Sequence, residues 1–264
     1  MTDPTRLSGK VTVVTGGGSG LGKGAALRIA EEGGMVAIFD KRLALATEVA
    51  DEISAHGGEA LAVECDVAVE KEVEAAVSAT VDRFGTINGL LANAGTAGSG
   101  WVHETRFEDW QFVLGVNLTG AFLCSKHCIP HMLAAGSGSI VMTASIAGSV
   151  VGAGGSAASY TVSKHGLIGL AKHIAVDYGE QGIRANAIQP ALISDSNLGK
   201  HVMEDQERAV TPAAKLPRPK AWLPIRRAGH NKDEYGATVA FLLSDESGYI
   251  TGAAIPVDGG YLAI

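Results

Sequence analysis

Apolar positions fall along the chain in two alternating textures. Short, mostly apolar runs recur at Val11 to Thr15, which is β-branched, and at Met35 to Phe39, Ala60 to Cys65, Gly89 to Asn93, Ser139 to Ser145, Arg184 to Gln189 and Ala254 to Val257. Between them, apolar residues return every third or fourth position, as an amphipathic helix requires. Those stretches are Leu21 to Glu32, Arg42 to His56, Glu70 to Phe84, Phe107 to Leu133, Ala158 to Tyr178 and Lys232 to Ser244. Strand and helix in alternation predict right-handed crossovers and a parallel sheet covered by helices. Ligands of such sheets bind beyond the carboxyl ends of the strands, where Thr15, Asp40, Asp66, Asn93 and Ser145 fall. Regularity fails between Ser196 and Arg227, which holds prolines at 212, 217, 219 and 224. So long an irregular stretch inside a compact domain predicts a substrate-binding lid over about residues 194–227.

Two patterns on this frame carry chemistry. Thr15-Gly16-Gly17-Gly18-Ser19-Gly20-Leu21-Gly22 leads from the first strand into a helix. A glycine-rich turn there presents free N–H groups and the positive end of the helix dipole, which suits a pyrophosphate. Asp40 ends the second strand and suits the hydroxyls of an adenosine ribose while repelling a 2′-phosphate, which points to NAD. Lys41 and Arg42 follow and soften that repulsion; the alternative role for Asp40 is an N-cap of the next helix. The second pattern is Tyr160 and Lys164, one helical turn apart on one face, with Ser145 upstream. Lowering a phenol to work near neutral pH needs roughly three units, about 4 kcal/mol. An ammonium about 4 Å away supplies that much at an effective dielectric of about 20. Tyr160 is therefore a candidate general acid/base, although most such pairs on helices are surface contacts of small effect.

Composition narrows the class. The 264 residues are 46% hydrophobic but only 5% aromatic, with 35 glycines, as close helix-on-sheet packing favours. One α/β domain over residues 1–264 is expected. A net charge of −7 argues against nucleic acid or an anionic membrane as the main partner. Met1 to Lys10 has no apolar core of a secretory signal, and no uninterrupted apolar run reaches the ~18 residues of a membrane span. Three cysteines, Cys65, Cys124 and Cys128, make no paired framework and fit a cytoplasmic location. Cys124, Cys128 and His131 match no zinc spacing and read as helix packing, so no metal is expected.

Together these pieces resemble the classical short-chain dehydrogenase/reductase family over essentially the whole chain. The matching motifs are Thr15-Gly16-x-x-x-Gly20-x-Gly22, Asp66-Val67, Asn93-Ala94-Gly95, Asn117, Ser145, Tyr160-x-x-x-Lys164, Asn186 to Pro190, and Tyr249-Ile250-Thr251-Gly252 before Val257-Asp258-Gly259-Gly260. The resemblance implies a doubly wound Rossmann sheet of about seven strands, a nicotinamide cofactor and interconversion of a secondary alcohol and a ketone. It assigns catalysis to Asn117, Ser145, Tyr160 and Lys164. Tyr160 exchanges the proton, Lys164 lowers its pKa and holds the nicotinamide ribose, Ser145 steadies the substrate oxygen, and Asn117 holds a water. Cofactor contacts are implied at Gly16, Gly18, Ser19, Gly20, Leu21, Gly22, Asp40, Lys41, Asp66, Val67, Asn93, Ala94, Gly95, Tyr160, Lys164, Pro190, Ala191, Ile193 and Ser194. Ala92, Asn88, Met142, Ala191 and Ser194 depart from the family's usual residues; Ser194 keeps the hydroxyl of the usual Thr.

Candidate substrate walls are Thr96, Ala97, Ser145, Ile146, Val151, Tyr160, Leu192 and Trp222. They are mostly apolar and favour an uncharged alcohol or ketone of modest size, cyclic or aromatic. Lys215, Arg218, Lys220, Arg226 and Arg227 make the lid basic, which reads as a solvated face or ion pairs before a carboxylate site. Competing readings are a 3-oxoacyl-carrier-protein reductase, opposed by Asp40, and a non-catalytic dinucleotide-binding protein. The three-residue gap between Gly16 and Gly20 disfavours a sugar-nucleotide epimerase. The family resemblance also implies a homotetramer.

Overall fold

The computed structural model describes residues 3–98, 100–151, 157–194, 196 and 223–263. Seven parallel strands form one sheet in the order β3-β2-β1-β4-β5-β6-β7. They are β1 Val11–Thr15, β2 Met35–Asp40, β3 Ala60–Glu64, β4 Gly89–Ala92, β5 Gly138–Thr143, β6 Ile183–Pro190 and β7 Ala254–Val257. The helices are α1 Gly20–Glu31, α2 Leu43–Ala55, α3 Glu70–Phe84, α4 Phe107–Leu114, α5 Gly120–Ala135, α6 Ala158–Tyr178 and α7 Ala237–Leu243.

Strand order reverses between β1 and β4, because the chain leaves β3 at one edge and returns to the middle of the sheet. At such a switch point the crossover helices part and a crevice opens. Two apolar clusters fill the two faces. One packs α3, α5 and α6 residues such as Val73, Cys124, Cys128 and Leu167 against Val13, Leu90 and Ile140. The other packs α1, α2 and α7 residues such as Ile29, Val49 and Val239 against Val14, Val36 and Leu91. Continuous apolar runs rather than alternation are what strands buried on both faces require.

Strand and helix positions follow the expectation to within a residue or two, with two exceptions. The single helix expected over Phe107 to Leu133 is interrupted by a π-helical stretch, Gly115–Thr119, between α4 and α5. A second π-helical stretch, Asn231–Gly236, occupies the first half of the helix expected from Lys232. The 29 residues from Phe107 to Ala135 are long and apolar enough to cross a membrane, yet half of that window is buried. They serve as a core helix over the sheet. Most of the expected lid, residues 195 and 197–222, lies outside the described residues.

Candidate active site

The carboxyl ends of β1, β2, β4 and β5 open on one cleft of about 440 Å³. The glycine loop forms its floor. Gly16 and Gly20 take positive φ of 61° and 55°, which other residues rarely adopt. A Cβ on Gly22 would stand 2.2 Å from the Gly16 carbonyl oxygen, so loop and helix meet backbone to backbone. Among the described residues no side chain caps the first turn of α1, whose N–H groups can face an anion.

Asp40 is buried at the end of β2. One carboxylate oxygen accepts the Gly18 N–H at 3.1 Å, and the other accepts the Arg42 N–H at 3.0 Å. Asp40 is not the N-cap of α2, a position held by Arg42 with no side-chain cap bond; its carboxylate braces Arg42 and lines the cleft. Ionised oxygens have lone pairs to spare after one bond each, so two ribose hydroxyls can still be accepted. Arg42 reaches across the rim, Nε 3.7 Å from Asp40 and Nη2 3.3 Å from the Ser19 hydroxyl.

The opposite wall is built by β5 and α6. Lys164 is buried and donates from Nζ to the Thr143 carbonyl at 2.6 Å. Its ammonium lies 5.5 Å from the centroid of the Tyr160 ring. Ser145, at the end of β5, accepts the Ala147 N–H at 3.1 Å. That bond occupies an acceptor site on the hydroxyl oxygen and leaves its proton to be given away, and a side-chain hydrogen bond joins Ser145 to Tyr160. Gln189 holds the same residue from behind, donating to the Ser145 carbonyl at 3.2 Å and to the Ser149 hydroxyl at 2.6 Å.

The electrostatics correct one expectation. Burial raises the Tyr160 pKa above its ordinary value, and the Ser145 hydrogen bond opposes that rise without reversing it. No lowering by Lys164 offsets that rise: its Nζ donates to the Thr143 carbonyl and stands 5.5 Å from the ring centroid, and burial lowers its own amine to about 8. A proton donor set is nevertheless assembled: a protonated phenol, a serine hydroxyl and an amine converge on one space.

Asn117 sits inside the π-helical stretch, and its side chain is fully engaged. Its amide donates to the Thr96 carbonyl at 2.9 Å and the Ser163 hydroxyl at 3.0 Å, and its oxygen accepts the Thr96 N–H at 2.8 Å. The side chain is a clamp joining the loop after β4 to α6.

Most expected cofactor residues line the cleft: Gly16, Ser19, Gly20, Leu21, Asp40, Lys41, Asp66, Val67, Asn93, Ala94, Gly95, Tyr160, Lys164, Pro190 and Ala191. Gly18 and Gly22 stand behind this lining and let the loop close. Ile193 is buried behind it, bridged to Gly229. Ser194 does not line the cleft, but its hydroxyl is buried without a partner among the described residues. An orphaned donor there, the uncapped α1 and the side-chain-free loop together fit a nicotinamide dinucleotide.

The expected substrate residues divide. Thr96, Ser145 and Tyr160 line the cleft, whereas Ala97, Ile146, Val151 and Leu192 are not among its lining residues. Val151 and Leu192 point largely into solvent, at 75% and 58% exposure. Trp222 lies outside the described residues. Phe112 and Val116 line the cleft and were not expected; both come from the α4 side, and no motif marks them. Arg42 and Cys65 were also missed as lining. Of the basic lid residues described, Arg227 forms a two-pronged pair with Glu234.

A family model described as enoyl-(acyl carrier protein) reductase matches residues 16–262. The 2-(S)-hydroxypropyl-CoM dehydrogenase 3 of Xanthobacter autotrophicus is 36% identical over 259 residues, covering 98% of this chain and 99% of its own. Cyclohexanol dehydrogenase of an Acinetobacter species is 38% identical over 257 residues, covering 97% and 96%. The crystal structure of levodione reductase superposes with a TM-score of 0.88 at 34% identity, covering 98% of this chain and 99% of that one.

Proposed function

The chain belongs to the short-chain dehydrogenase/reductase family, and from that premise we propose that it interconverts an uncharged secondary alcohol and a ketone with NAD. The observation that carries the reading is a shared cleft: Ser145, Tyr160 and Lys164 line the same crevice as the glycine loop and Asp40. When bound, the nicotinamide supplies the hydride acceptor or donor. Gly16 to Gly22, Asp40, Asn93 to Gly95, Lys164 and Ser194 would hold the dinucleotide.

Tyr160 gives its proton to the substrate oxygen during ketone reduction and takes it back during alcohol oxidation. Ser145, whose oxygen already accepts Ala147, donates its hydroxyl proton to the same substrate oxygen. Lys164 contributes positive charge beside the phenol, and as its amine is lowered to about 8, that charge fades above about pH 8. Asp40 underlies the choice of NAD, since a 2′-phosphate would be set against a buried carboxylate. Arg42 softens this preference without inverting it, its guanidinium being already shared with Asp40 and Ser19.

The substrate is inferred to be a compact cyclic alcohol. Phe112, Val116 and Ala191 give the cleft an apolar wall, and relatives named for cyclohexanol and levodione align over nearly their whole length. Three free, buried cysteines fit a cytoplasmic location. Exposed apolar side chains on α5 and α6, Phe122, Val162 and Val176, fit a homotetramer.

The test is nicotinamide absorbance on a panel of cyclic, linear and carboxylated alcohols with NAD and NADP side by side. Fast reduction of NAD by cyclic alcohols is expected. Preference for a 3-oxoacyl thioester with NADPH would establish the acyl-carrier reading, which has a 34% identical relative in a 3-oxoacyl-[acyl-carrier-protein] reductase of Synechocystis. Dinucleotide binding with no turnover of any substrate would leave a non-catalytic binder.

A further inference from the structure

Thr143 does two things at once. Its carbonyl accepts the Lys164 ammonium at 2.6 Å, and its hydroxyl lies 2.6 Å from the phenol oxygen of Tyr235. Both hydroxyls also reach the side-chain oxygen of Asn93, from 3.3 Å and 3.4 Å. The three groups close a triangle of two hydroxyl protons and one amide oxygen. Whichever hydroxyl donates to the other, the remaining proton is directed at Asn93, so neither is stranded. The Asn93 amide in turn donates to the Thr15 carbonyl at 3.0 Å, at the start of the glycine loop.

Tyr235 is fully buried among aliphatic residues. Packing there would be satisfied by phenylalanine; the hydroxyl earns its place only through its polar partners. The residue is carried by the π-helical stretch Asn231–Gly236, which is fastened to α1. Asn231 donates to the Gly20 carbonyl at 3.2 Å, and Lys232 pairs with Glu31 at 2.8 Å.

We propose that Tyr235 is a positioning residue whose phenol, through Thr143 and Asn93, holds both the carbonyl that anchors Lys164 and the strand end that carries the dinucleotide loop. The inference rests on the functional reading above, since it makes the catalytic lysine and the cradle move as one unit. Its reach across the sheet is long in sequence and short in space. Removing the phenol oxygen leaves two hydrogen-bonding groups beside an unfilled position and frees Thr143 to turn.

The test is a double-mutant cycle of Tyr235→Phe and Thr143→Val, read in two quantities. The first is the dissociation constant for the dinucleotide, from protein fluorescence without turnover; the second is kcat. Each single variant is expected to lose about fivefold in one or both, and the double variant no more than about fivefold in place of about twenty-fivefold. Coupling in either quantity supports the proposal. Additive losses in both, or variants equal to the wild type in both, overturn it. Thermal unfolding checks that each variant is folded; should Tyr235→Phe fail to fold, Thr143→Val alone must show the loss, and wild-type behaviour from it overturns the proposal. A wild type that turns over no substrate would refute the functional reading, while the dissociation-constant cycle would still decide this one.

Discussion

The two sides of the cleft are built by different means. On the dinucleotide side the work is done by backbone: a loop without room for side chains, an uncapped helix start and a carboxylate tied down by two N–H groups. On the proposed substrate side the wall is made by side chains that meet from distant elements, Phe112 from α4, Val116 from the π-helical stretch and Tyr160 from α6. Backbone cradles tolerate almost no change and recognise a common group. Side-chain walls can be exchanged singly, and so they are where a substrate choice is written.

The contrast is broken most sharply at its junction. Tyr160→Phe should lower kcat by at least about a thousandfold while changing dinucleotide affinity by less than about threefold, because only the proton step is lost. Steady-state rates paired with a binding titration would show it, and parallel loss of both would place Tyr160 in the cradle instead. Gly22→Val attacks the other side. Its Cβ would enter the Gly16 carbonyl, and we expect dinucleotide affinity to fall about a hundredfold in a protein still folded by circular dichroism. Near-normal affinity would mean that the loop does not form the floor.

Asp40→Ala should shrink the ratio of NAD to NADP efficiency by at least about tenfold, the worth of a charged hydrogen-bonding group. An unchanged ratio would locate cofactor choice elsewhere on the rim. The smallest effect is on stability, at Lys164. Its amine lies at about 8 in the fold against 10.5 when unperturbed, so between those values the unfolded chain binds more protons. Wild-type stability therefore rises with pH through that window, and below pH 8 the buried charge costs about 3 kcal/mol. Lys164→Met should accordingly be the more stable protein at pH 7, by an amount reduced by the lost bond to Thr143, and the gap should close by about pH 10.5. A gap independent of pH would contradict the assignment. Such a trade of stability for function is common at active sites.

Much of this was legible in the sequence, for reasons that differ by residue. The glycine loop, Asp40 and Tyr160 with Lys164 are local patterns: each depends on spacing within a turn or on the end of a strand. The parallel order of strands followed from alternation alone. Phe112 was not legible, since which face of α4 meets the cleft is decided by packing against α6. The π-helical break at Asn117 left no signal in the apolar period. Tyr235 lies 92 residues from Thr143, and nothing local announces a hydroxyl pair. The expected depression of the Tyr160 pKa failed for a physical reason: the sequence argument counted the attraction of a neighbouring charge and omitted the desolvation of both partners.

The central claim is that a hydride leaves the carbinol carbon of an alcohol for the nicotinamide while Tyr160 handles only the hydroxyl proton. It is tested most directly with cyclohexanol deuterated at that carbon, incubated with NAD, followed by mass spectrometry of the reduced dinucleotide. The account predicts one deuterium carried into the dinucleotide at each turnover, with none released to water. Reduced dinucleotide without the label, or label appearing in solvent, would contradict it.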